Sequence, residues 1–288
     1  MSTEHEFFFN RLYVIESLAD DESPTHERLL EFLEVEMRRL PDGEGLDVVH
    51  QRVTSAGQLV GLLVAIKDRA HSQGERPILH FEVHGDREGL ELQPNLETCR
   101  WADISNALRN INIATRNGLL ITLAVCHGSF LADIVDVTER APFWALVGSL
   151  ERFNSMKAEV GFQALYRALL RQGDGAKALA AMREDLPLTP DLYGLFTCVH
   201  AYVLTFRQQL GGDIEGRVTR FLRERRVADT TDNRARVRDE LVGGGLRRDF
   251  VEMQEKFFML DLRPENREWV RLDFDRDVLG EGAPSVAR

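Results

Sequence analysis

Residues 117–129 read NGLLITLAVCHGS. The run Leu119–Val125 (LLITLAV) is continuously apolar and of strand length. A strand apolar at every position belongs in the middle of a parallel sheet, covered on both faces. Cys126-His127-Gly128-Ser129 follows at its carboxyl end. In open α/β sheets that end is where ligands sit.

Working outward, Trp101–Thr115 reads as a helix and Pro77–His84 (PILHFEVH) as the strand before it. Leu90–Leu92, after Gly85–Gly89, reads as a short hairpin arm. Further upstream, Phe7–Leu18 is expected as a strand, followed by an acidic turn at Ala19–Pro24. Thr25 is expected to cap a helix through Leu40, with Leu29, Leu30, Phe32, Leu33 and Met37 as its apolar stripe and Pro41-Asp42-Gly43 as its end. Leu46–Thr54 alternates as a strand, and Ala56–Ala70 is helical. Downstream, Pro142–Val147 reads as a strand, and Val160–Leu170 and Ala176–Met182 as helices. Strands alternating with helices at these lengths predict an α/β fold with a mostly parallel sheet and helices on both sides.

The pattern changes at Leu186–Pro190. Beyond it helices are expected over Asp191–Leu210 and Ile214–Arg225, then a charged region over Thr230–Leu260 interrupted by Gly243-Gly244-Gly245. The expected organisation is an α/β domain over residues 1–186, a helical C-terminal region over 187–279 and a disordered tail over 280–288.

The 288 residues suffice for one large domain or a domain with an appendage, and 43% apolar content is that of a globular core. A net charge of −11 argues against nucleic acid as the main partner, because phosphate binding needs clustered Lys and Arg. The basic stretch Arg217–Arg226 reads as a solvated helix face, or as a docking surface for an acidic partner. Three widely spaced cysteines, Cys99, Cys126 and Cys198, argue against a disulfide framework and fit a reducing cytoplasm. No signal peptide and no bilayer-length apolar run is evident, so neither a membrane nor a secretory route is expected.

Two reactive groups stand at adjacent strand ends: His84, followed by Gly85, and Cys126. A thiol becomes a strong nucleophile when it ionises, and an imidazole within hydrogen-bond reach supplies the base. The same imidazole can protonate a leaving amine. The N–H groups of Gly85 and Cys126 are expected to form an oxyanion hole. As residue types alone, both also read as ordinary core residues.

The segment Arg76–Asp86 (RPILHFEVHGD) resembles the strand ending in His-Gly of caspases, metacaspases and the CHAT peptidases, the caspase-like group that includes separase relatives. Asn117–Ser129 resembles their second strand, which ends in the nucleophilic cysteine. The two residues lie 42 apart, near the caspase spacing of about 50. Pro142–Gly148 and then FQALYRALLRQGDGAKALAAM over Phe162–Met182 resemble the CHAT ending. The resemblance covers residues 7–185. It departs from the family at Val83, where Gly commonly precedes the histidine, and at Ala124, where metacaspases carry an acid; the arginines with which caspases bind aspartate have no evident counterpart.

The resemblance implies a caspase-like three-layer sandwich and a cysteine endopeptidase with His84 and Cys126 as its dyad. It implies a protein substrate, activation by a partner or signal, and a setting in bacterial defence or stress. The alternative is an inactive caspase-like scaffold that binds proteins. In this fold the end of the first strand helps build the substrate pocket. Here that end carries Glu16, Asp20 and Asp21, acids that would favour Lys or Arg, with His127 lining the cleft. The same acids also read as a solvated turn. No cofactor is expected, and no metal: His80, His84 and His127 lack a carboxylate to complete a catalytic set. Asp86 reads as a solvated loop residue rather than a third catalytic member.

Overall fold

In the computed structural model, residues 9–40, 46–152, 155–172, 175–184, 193–208 and 214–279 are described. The expected turn at Pro41-Asp42-Gly43, the break at Leu186–Pro190 and the tail from Gly280 lie outside them. The chain runs β1 (Arg11–Ser17), α1 (Thr25–Met37), β2 (Asp47–Arg52), α2 (Ala56–Gln73), β3 (Pro77–Gly85), β4 (Gly89–Leu92), β5 (Glu97–Arg100), α3 (Trp101–Ala114) and β6 (Leu120–Ala124). A 3-10 helix at Gly128–Ile134 leads to β7 (Ala145–Ser149), α4 (Ser155–Gln172), α5 (Gly175–Glu184) and β8 (Tyr193–Thr197). Then come α6 (Cys198–Phe206), α7 (Ile214–Glu224), α8 (Thr231–Glu240) and α9 (Arg247–Phe257).

The main sheet has the order β2-β1-β3-β6-β7-β8, parallel except for β8, which runs antiparallel to β7. β3 also begins an antiparallel ribbon with β4 and β5. The fold is therefore α/β with a mostly parallel sheet and a helical C-terminal region, as the sequence pattern predicts. Two compact units result, one of residues 1–134 and 142–197, the other of 135–141 and 198–288.

Side-chain alternation assigns the two faces of the sheet. Leu12, Val14, Ile78 and Leu120 pack with Leu29 and Leu33 of α1, Phe162 and Leu165 of α4 and Leu179 of α5. On the opposite face the Tyr13 hydroxyl accepts from Arg69 of α2 at 3.0 Å. α2 is well delimited: Ser55 accepts from the Gln58 N–H at its start, and Gly74 in the left-handed region ends it. The entry to β6 is held by Asn112. Its Oδ1 accepts from the Leu119 N–H at 3.0 Å and its Nδ2 donates to Asn117 Oδ1 at 2.9 Å, all buried.

Several elements differ from expectation. The first described strand begins at Arg11, and the strand expected at Pro142 begins at Ala145. Thr25 is the first residue of α1 rather than its cap, and its hydroxyl donates to Glu82 instead. Cys99, expected in a polar loop, is buried on β5, because the ribbon turns its side chain inward. The helix expected over Asp191–Leu210 is a strand at Tyr193–Thr197 before α6 begins; pairing along the edge of β7 overrides local helix preference there. Gly243–Gly245 do not break the helix, since α8 passes into α9 through a π-helical stretch, Leu241–Leu246.

The helical unit has its own core. Tyr202 and Phe206 of α6 pack with Phe250, Phe257 and Phe258, and the Tyr202 hydroxyl donates to the Phe250 carbonyl at 2.7 Å. Residues 135–141 belong to it: Arg140 makes a two-pronged pair with Asp261, at 2.7 and 2.6 Å. In α7, Val218 and Leu222 pack against Val237 of α8, so the arginine-rich helix buries an apolar stripe. No helix among the described residues is long and apolar enough to cross a membrane.

Asn112→Ala should lower stability by about 1–3 kcal/mol, because the buried Leu119 N–H loses its acceptor. Urea unfolding of the full chain measures this; an unchanged midpoint would contradict the role assigned to Asn112.

Candidate functional site

β3 and β6 are adjacent and parallel, with Glu82 opposite Ala124. His84 lies two residues further along β3 and Cys126 two residues past the end of β6, and both side chains line one cavity at the carboxyl rim. The cavity is about 100 Å³ in volume. Its wall includes His84 and Cys126, with Leu18, Thr25 from α1, Glu82 from β3, and Ala158, Glu159 and Phe162 from α4.

Glu22, in the loop after β1, accepts from the His84 ring: its Oε1 lies 2.7 Å from Nε2. A carboxylate only accepts, so in the neutral ring this bond selects the Nε2–H tautomer and leaves a lone pair on Nδ1. The other oxygen of Glu22 accepts from the Ala19 N–H at 3.1 Å, which braces the carboxylate. Among the described residues no hydrogen bond joins His84 to Cys126. Gly85 pairs with Leu90 in the ribbon, and a Cβ there would lie 2.6 Å from Val125 Cγ1 and 2.7 Å from the Gly89 carbonyl. Only glycine lets the ribbon lie this close beside the histidine. After Cys126 the chain turns sharply, with His127 at a φ of 58° and the Gly128 N–H donating to the Val125 carbonyl at 3.1 Å.

Below the rim lies a buried polar network. His80 Nδ1 is 2.9 Å from the Thr122 hydroxyl and 3.0 Å from the Tyr166 hydroxyl, while Nε2 is 3.3 Å from Glu82 Oε1. Burial alone would raise the Glu82 pKa. The hydrogen bond and charge of His80, together with the Thr25 hydroxyl, outweigh it and hold the carboxylate below its ordinary range. Glu159, on the opposite wall, pairs with Arg28 at 2.7 Å.

Of the other expected site residues, Glu16 is buried at the end of β1 and does not line this cavity. Asp20 is exposed and bonded to Arg52 at 2.7 Å, and Asp21 is exposed. His127 points its Nδ1 at the Leu150 carbonyl, 3.1 Å away. The acids on the cavity wall are Glu82 and Glu159. Neither these nor Glu22 stood out in sequence; Glu82, two residues before His84 on the same strand face, carried the one available signal. Cys99 and Cys198 are buried, and burial first, then Asp103 and Glu97, push the Cys99 thiol up to about 11.

No protein-family model matches this chain, and no curated protein matches it. Among solved structures it is similar to a secreted C11 cysteine protease from Bacteroides thetaiotaomicron, determined with an irreversible peptide inhibitor. The two share 12% identity over 60% of this chain and 57% of that one, with a TM-score of 0.40. The chain thus spans little more than half the length of that protease.

The lowered Glu82 pKa has a definite acid-side consequence. A group depressed in the folded state stabilises it above the unfolded-state pKa, and that contribution is lost as pH falls through the folded value. Denaturant unfolding should therefore show stability falling below about pH 4 in the parent, with a flatter acid limb in Glu82→Gln. Parallel acid limbs would remove Glu82 from this role.

Proposed function

We propose that this chain is a cysteine peptidase in which Cys126 is the nucleophile, His84 the general base and acid, and Glu22 the residue that orients His84. The observation that carries the reading is the β3–β6 register, which brings a thiol and an imidazole from separate strands to the wall of one cavity. His84 takes the Cys126 proton through Nδ1, and the thiolate attacks the substrate carbonyl. The N–H groups of Gly85 and Cys126 receive the oxyanion. His84 then protonates the leaving amine, and water hydrolyses the thioester with His84 again as base. The His84–Cys126 contact forms as substrate enters, in keeping with the loose geometry of unliganded sites.

The cavity's charge supports cleavage after a basic residue. Glu82 is a wall carboxylate shared with His80 and Thr25, and Glu159 is shared with Arg28, a side chain that a substrate cation can displace. Aspartate would meet like charge there. Glu82 and Glu159 thus take the part that the strand-end acids Glu16, Asp20 and Asp21 hold in the sequence reading.

Iodoacetamide labelling followed by mass spectrometry tests the dyad. Cys126 should react well ahead of Cys99 and Cys198, and more slowly in His84→Ala. Peptidase activity should vanish in Cys126→Ala and fall about 10²–10⁴-fold in His84→Ala, with no further loss in the double variant. Equal labelling of all three thiols, with no cleavage by the parent, would favour a non-catalytic scaffold.

A peptide library addresses specificity. Cleavage should follow Lys or Arg, and Glu159→Gln should weaken that preference. Preference for Asp or for an apolar residue before the cut would overturn the acidic cavity.

A further inference from the structure

Among the described residues, the three side chains that the fold brings within ligand reach of one another are not the His80, His84 and His127 weighed in the sequence. Glu16 at the end of β1, His26 in the first turn of α1 and His50 on β2 each offer one ligand atom, and these atoms lie within 4.8 Å of one another. The Glu16 carboxylate is buried; Oε2 accepts from the Leu18 N–H at 3.0 Å, and Oε1 lies 3.7 Å from His50 Nε2. The His26 and His50 rings stack at 5.1 Å with 19° between their planes. Among the described residues, the buried His26 Nδ1 has no hydrogen-bond partner. A buried polar atom left unpaired is costly, and a bound ion or an ordered water can satisfy it.

We propose that Glu16, His26 and His50 form a binding site for a divalent transition metal, with water completing the coordination. Two imidazoles and a carboxylate are a ligand set for Zn²⁺ and its first-row neighbours, whereas Ca²⁺ and Mg²⁺ take oxygen ligands. Tetrahedral zinc with bonds of about 2.0–2.1 Å needs ligand atoms about 3.3 Å apart, so atoms that now lie within 4.8 Å of one another must draw together to hold the ion. His50 is more than a third exposed and free to make that movement.

Arg52 is the opposing feature. Its Nε lies 3.6 Å from Glu16 Oε1, where a cation would bind. The same guanidinium bonds Asp20 at 2.7 Å and is 46% exposed, so it can stay with Asp20 while the metal takes Glu16. Glu16 and His26 also flank the loop that carries Glu22. An ion bridging them pins both ends of that loop, a structural role that does not depend on peptidase activity.

The test uses the full chain free of any affinity tag, in the Cys126→Ala form so that zinc cannot bind at that thiol. Zn²⁺ is titrated in competition with a chromophoric chelator, and Co²⁺ binding is followed by its visible spectrum. One equivalent of Zn²⁺ should bind, raising the melting temperature. His26→Gln and His50→Gln should each weaken binding by more than about tenfold, since even outer-shell changes cost that much. His50→Gln changes a part-exposed side chain, and circular dichroism verifies its fold. Absence of stoichiometric binding overturns the proposal. So does binding that survives both substitutions, or that is lost only in His84→Ala.

Discussion

The ladder between β3 and β6 sets Glu82 against Ala124, and the chemistry of the rim follows from that register. Side chains alternate along a strand, so a slip of one residue would send either His84 or Cys126 to the opposite face. Several features hold the register. Both strands are apolar on each side and buried between helical layers, and a slip would carry their core residues out of their packing sites. The polar residues within them are matched across the ladder: His80 stands opposite Thr122, and their side chains bond each other and Tyr166 from α4. A slipped register would strand all three polar groups in the core, and the desolvation cost of such groups is what makes the pairing specific.

The same network carries the floor of the cavity. A carboxylate as buried as Glu82 is costly unless its oxygens are occupied. Thr25 and His80 occupy them from α1 and from its own strand. Thr25 therefore fastens the start of α1 to the sheet instead of capping its own helix. The loop before it, which holds Glu22, is in turn fixed between β1 and a helix that cannot drift. Preorganisation of the histidine by Glu22 is thus the outermost of three linked layers, and the innermost is the His80–Thr122–Tyr166 cluster.

What the sequence discloses divides along a physical line. Strands such as Leu120–Ala124 are legible because burial on both faces demands an unbroken apolar run, and the glycine after His84 is legible because it ends one. Helices α2 and α3 follow from their apolar spacing. Tyr193–Thr197 is not legible as a strand, since five residues leading straight into an apolar helix read as its first turns; its identity comes from the free edge of β7. Glu22 and Glu159 are equally hidden, and Glu82 is marked only by its place two residues before His84. Each is one acid among 47 acidic residues, and only the tertiary fold decides which reach the cavity, as Glu82 and Glu159 do, or His84, as Glu22 does. Glu16, His26 and His50 come from three elements and obey no metal-ligand spacing, so no motif contains them.

The loop between β1 and α1 is where these threads meet. It contributes Leu18 to the cavity wall, Glu22 to His84, and Asp20 to the Arg52 that leans over Glu16. Its two ends are anchored differently: Glu16 through the sheet, Thr25 and His26 through the start of α1. Any ligand that changes the spacing of those ends acts on Glu22 directly, because only a few residues separate it from either one. A charge placed near Glu16 also draws on the same carboxylates that steady Arg52. The orientation of His84 is therefore sensitive to events on the far side of β1, through a short covalent path and without any movement of the sheet.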